Sequence, residues 1–173
     1  MAEFEHWDSF YVIVGAAAGA LIGLQFVVMT LIADRPSKGV TETNPAFATP
    51  TIVHFSACLL VSALMRVPWQ SVATAARAWG SVGLLGLIYM VIVVRRMLHQ
   101  SAYKPDAEDW AFHCVVPIAT YLLLALSAFW AESHESDALL AVAAVCLSLL
   151  FVGIHNSWDS VVFVSTGQNQ KKE

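Results

Sequence analysis

Residues Tyr11 to Ala33 read YVIVGAAAGALIGLQFVVMTLIA, an apolar run without a single charge. A helix needs about 20 such residues to cross the hydrocarbon core of a bilayer, so this stretch predicts a transmembrane span. The residues before it include Glu3, Glu5 and Asp8 but no Lys or Arg. They lack the positive region of a secretory signal peptide, and the run is also too long for one, so it is expected to remain as a mature helix. Inside it Gly15, Gly19 and Gly23 recur every four residues among alanines. Such a stripe predicts a glycine zipper, a face on which a neighbouring helix, or a second copy in a homo-oligomer, packs closely. Gln25 lies further along the same run, where its amide needs a partner on another helix.

The rest of the chain repeats the pattern. Of 173 residues, 58% are hydrophobic and 13% charged, against roughly a quarter charged in a soluble domain. The predicted fold class is therefore all-α, a polytopic membrane protein. Spans are expected at about 11–33, 51–66, 79–96, 110–131 and 138–160, forming one compact five-helix bundle. The connector from Asp34 to Pro50 holds four turn-forming residues, Pro36, Gly39, Pro45 and Pro50, and reads as a loop. The stretches 70–78 and 97–110 read as further connectors, and 165–173 as a polar tail. In the third span Gly80, Gly83 and Gly86 make a second small-residue surface, so the first and third helices are expected to pack together through glycines. Glu132 to Asp137 is too short a link for anything but antiparallel neighbours.

Charge fixes an expected orientation. With the N-terminus outside, Arg35, Lys38, Arg95, Arg96, Lys104, Lys171 and Lys172 are cytoplasmic, seven of the nine basic residues. The positive-inside rule thus favours a plasma or inner membrane location with the N-terminus out and the C-terminus in. Net charge is only −4 and no basic run is long enough for a nucleic-acid partner; the partner expected is the lipid bilayer. The three cysteines lie in apolar runs without paired spacing and read as buried thiols.

Near the end of the last span, Gly153-Ile154-His155-Asn156-Ser157-Trp158-Asp159 puts ionisable groups where hydrocarbon is expected, a functional-site signal by default. His155 and Asp159, four apart, share a helix face. In the second span His54, Cys58 and Ser62 form a polar stripe facing protein. In the fourth, Asp109, His113, Pro117 and Tyr121 recur at four-residue spacing, with a kink at Pro117. The topology brings His54, His113 and His155 to one side of the membrane at similar depth. His54, His113, His155 and Asp159 are the expected ligand set, supported by Asp109, Gln25, Asn156, Tyr121 and Cys58.

Imidazoles with a carboxylate suit a transition metal such as zinc or iron, or a haem, although no HxxxH or HExxH pair is present. The same groups suit a polar ligand, a proton or ion pathway in an oligomeric channel, or simple interhelical hydrogen bonding in a non-catalytic assembly subunit. No nucleophile elbow or phosphate loop marks a catalytic centre.

Overall fold

The computed structural model describes residues 2–33, 40–99 and 106–169, with side chains over 3–30, 49–99 and 106–162. The described chain is almost entirely helical, without a strand among the described residues. A short α1 (Ala2–His6) precedes α2 (Asp8–Ala33), α3 (Val40–Leu64) and α4 (Val72–His99). The one-turn α5 (Ala107–Trp110) then runs through a π-helical segment, Ala111–Val115, into α6 (Val116–Trp130), and α7 (Glu135–Asn169) completes the bundle.

Four described helical stretches are long and apolar enough to cross a membrane: Asp8–Thr30, Val72–His99, Ala107–Trp130 and Glu135–Val162. The apolar part of α3, Thr49–Leu64, is shorter, about 24 Å at 1.5 Å per residue. The expected five spans become four by length and composition: α3 takes its place in the bundle, but its apolar stretch, already the shortest of those expected, falls short of a full crossing. Residues 40–50, expected as loop, belong to α3, and Pro45 and Pro50 lie within the helix. A proline's fixed φ is compatible with a helix, although it gives up its own N–H and crowds the carbonyl four residues earlier. Residues 34–39 of the expected connector lie outside the described residues. The connectors either side of α4 shrink likewise, because α4 starts at Val72 and reaches His99. Residues 165–169 of the expected tail continue α7, and 170–173 lie outside the described residues.

Helices α3, α4, α6 and α7 form a ring in which each packs against the next, and α2 lies outside it against α3 and α7. Accordingly 56% of the α7 span is buried but only 17% of the α2 span. The glycines follow this arrangement and not the expected one. An added Cβ at Gly83 would stand 2.6 Å from the Ala125 nitrogen of α6, and one at Gly80 2.8 Å from the Ala128 Cβ. Gly86 opens a notch that the Tyr121 ring fills. In α2 only Gly15 is used, against Ser62 of α3; Gly19 and Gly23 are exposed and meet nothing within 4 Å. The third span's glycines thus face the fourth span, and the first span's stripe is mostly turned outward.

The end of the bundle that carries the N-terminus is closed by aromatic packing. Phe4 of α1 lies against Trp79 at 6.4 Å, and Trp7, Phe10 and Tyr11 form edge-to-face and tilted contacts beside it. Trp69 Nε1 donates to the Leu64 carbonyl at 2.7 Å, satisfying a group at the open end of α3. Arg66 forms an ion pair with Asp8 that ties α3 to α2. Both side chains are about half exposed, so Asp8→Asn is expected to cost less than about 1 kcal/mol in a reversible unfolding measurement.

Candidate functional site

The opposite end gathers the ionisable and amide groups. Here α3 and α7 run antiparallel, in a register set by Phe55 over Gly153 and by Cys58, whose thiol donates to the Cys146 carbonyl at 3.4 Å. That register brings the start of α3, with His54, to the level of the His155 turn of α7.

Local sequence explains how α6 meets them. Pro117 has no N–H to give the His113 carbonyl, so the α-helical ladder cannot run through it. The chain slips by one residue, and Val116 N–H bonds the Ala111 carbonyl, leaving the π segment instead of a simple kink. His113 lies on that segment, buried, with Nδ1 at 3.2 Å from the Asp109 carbonyl. The contact assigns the proton to Nδ1 and leaves Nε2 as the basic nitrogen. Asp109's own carboxylate is committed elsewhere: Asp106 N–H donates to it at 3.1 Å while Asp109 N–H donates to Asp106 at 2.9 Å, a reciprocal cap on α5. Asp109 therefore supports the site through its backbone and charge, with its carboxylate serving the cap.

His155 stacks on Phe112 with ring centres 3.7 Å apart. Its Nε2 stands 3.0 Å from Asp159 and 3.6 Å from Glu108. Glu108, which sequence reading left in a loop, thus joins the site. Nothing in its local pattern separates it from any other acid in a helix's first turn. Asn156 is fully buried; its Nδ2 reaches the Phe112 carbonyl at 3.5 Å, and its Oδ1 has no hydrogen-bond partner among the described residues. Gln25 finds its interhelical partner: Ser157 Oγ lies 3.0 Å from Gln25 Oε1 and 2.8 Å from the Gly153 carbonyl, two acceptors sharing one hydroxyl proton.

Deeper in the ring, fully buried His54 places Nδ1 3.0 Å from the Tyr121 hydroxyl, and its Nε2 has no hydrogen-bond partner among the described residues. Cys58 and Ser62 are buried on the same face of α3, as the stripe required. Tyr89 of α4, a second group that sequence reading passed over, lies within electrostatic reach of Tyr121 and of Arg96. His113 is within such reach of both His54 and the His155–Asp159 pair.

A bound metal, one of the readings offered by the sequence, finds no support in the side-chain arrangement. Among the described residues no three His, Cys, Asp or Glu side chains come together as a donor set. The ring nitrogens that do meet partners are His54 Nδ1 at the Tyr121 hydroxyl, His113 Nδ1 at a carbonyl and His155 Nε2 at two carboxylates. What the residues do form is a polar seam between α3, the π segment, α6 and α7 in an otherwise apolar membrane bundle. No known protein family, curated protein or solved structure matches the chain.

Proposed function

We propose that this membrane protein binds a small polar species in the seam, taken up from the face at which α5 begins. The positive-inside balance makes that face cytoplasmic, in a plasma or inner membrane with the N-terminus outside. One observation carries the reading: His54 Nε2 and Asn156 Oδ1 are both fully buried and neither has a hydrogen-bond partner among the described residues. A buried polar atom left unsatisfied costs about 1–3 kcal/mol, so two in one seam call for something that bonds to them.

Asn156→Leu gives opposite outcomes for an occupied and a bare seam. If a polar species bonds Oδ1, the apolar side chain removes that bond and the melting temperature in detergent falls. If Oδ1 is bare, leucine relieves its desolvation and stability rises, by about 1–3 kcal/mol. A fall is the expected result, and a rise would sink the proposal.

A further inference from the structure

The geometry points to a protonated amine as the species taken up at the mouth of the seam, with the Glu108 and Asp159 carboxylates and the buried Asn156 amide oxygen as its acceptors. This inference rests on the polar-species reading above and names the chemistry of its ligand.

Two short rows of side chains face each other there. On α7, His155, Asn156 and Asp159 fall at i, i+1 and i+4 and make one patch; opposite them, Glu108 of α5 and Phe112 of the π segment lie about one turn apart. Every link between the rows is direct. Glu108 comes to 3.6 Å and Asp159 to 3.0 Å from His155 Nε2, the Phe112 ring stacks on the His155 ring at 3.7 Å, and the Phe112 carbonyl meets Asn156 Nδ2 at 3.5 Å. Phe112 thus joins the carboxylates to the buried amide.

The Phe112 carbonyl also settles which end of that amide is which, because only Nδ2 can donate to it. Oδ1 is left over, in a side chain that is fully buried and has no partner for it among the described residues. The neighbouring hydroxyls are committed elsewhere: Ser157 faces Gln25 Oε1 and the Gly153 carbonyl, and Ser160 donates to the Asn156 carbonyl at 2.9 Å. An amide oxygen only accepts, so what bonds it must bring an N–H or O–H. That requirement excludes a bare anion.

Charge narrows the choice. Both carboxylates are partly exposed, and neither has a Lys or Arg within ion-pair distance among the described residues. One imidazole facing two carboxylates leaves the rim negative whether or not the ring is protonated. Although Asp159 is near, His155 Nε2 has no hydrogen-bond partner, so the carboxylates keep acceptor capacity for another donor. A metal ion is a poor fit, since no donor set for one forms among the described residues. A primary ammonium carries one positive charge and three N–H donors, against two carboxylates and one amide oxygen. A quaternary ammonium has the charge but no N–H for Oδ1. The ammonium could belong to a free amine or to the headgroup of an ethanolamine lipid, and the two share this chemistry.

The test is the melting temperature of the full chain in a nonionic detergent. Ethanolammonium chloride is expected to raise it by about 2 °C or more, and tetramethylammonium chloride at the same ionic strength to leave it unchanged. The rise should be lost in the double variant Glu108→Gln, Asp159→Asn; Glu108→Gln alone, at the more exposed of the two, serves if the double variant shows no transition. A parallel series replaces added phosphatidylcholine with phosphatidylethanolamine. A rise with the lipid but not with ethanolammonium supports a headgroup, and a rise with ethanolammonium in phosphatidylcholine supports a free amine. An equal rise with tetramethylammonium overturns the N–H donor, and a rise retained in the rim variants overturns the placement. If neither amine acts and Asn156→Leu destabilises, the amine falls and an uncharged donor such as water remains in the seam. If neither acts and Asn156→Leu stabilises, the polar-species reading falls as well.

Discussion

Gly83→Val is expected to prevent the bundle from folding stably, with a loss of about 3 kcal/mol or more in reversible unfolding from mixed micelles. The Cβ alone would stand 2.6 Å from the Ala125 nitrogen and 2.9 Å from its Cα. Both are backbone atoms, so no side-chain rotation relieves the overlap and α4 must move off α6. The first helix provides the control. Gly19 and Gly23 look the same in sequence, yet nothing lies within 4 Å of an added Cβ at either. Gly19→Ala and Gly23→Ala should therefore be neutral or raise stability by up to about 1 kcal/mol, through helix propensity alone. Equal damage from Gly83→Val and Gly19→Ala in unfolding midpoints would overturn this assignment of the helix pairs.

The second large effect falls on the His54–Tyr121 pair. Tyr121→Phe keeps the ring in its Gly86 notch and removes only the hydroxyl, leaving His54 Nδ1 buried without its partner. A cost of about 1–2 kcal/mol is expected, at the upper end of what interhelical hydrogen bonds contribute in membranes. His54→Leu should cost a similar amount by stranding the phenol. The double variant, with neither polar atom left, should cost less than the sum of the two. Strict additivity in a double-mutant cycle would mean that the 3.0 Å contact contributes nothing.

A seam of this kind has a cost in stability that an all-apolar core avoids. Around Trp79, Ser127 and Tyr11 the buried polar groups find partners within the chain, including Tyr11 hydroxyl to the Leu139 carbonyl at 3.5 Å. At the histidine end two fully buried atoms do not, among the described residues. Ser62 Oγ, beside Gly15 of α2, and Tyr89 Oη are also without a hydrogen-bond partner among the described residues, so the histidine end is set apart only by carrying His54 Nε2 and Asn156 Oδ1 in one seam.

The amino-acid sequence by itself determined the membrane class, the helical fold, the approximate spans and the end of the bundle at which the histidines meet. Each depends on one-dimensional quantities: the length of apolar runs, the shortness of the Glu132–Asp137 link, and the i,i+4 spacing that joins His155 to Asp159. Only the tertiary structure decided which helices touch and which polar groups meet. A membrane helix is apolar towards lipid and towards its neighbours alike, so hydropathy leaves the rotation of each helix undetermined. That is why the glycines of α2 and α4 look equivalent in sequence although only those of α4 are packed throughout. It is also why Glu108 comes to His155, and why Asp109 caps its own helix. The meeting of His54 with Tyr121 has the same origin: it depends on a contact with another helix, which spacing along one segment does not encode.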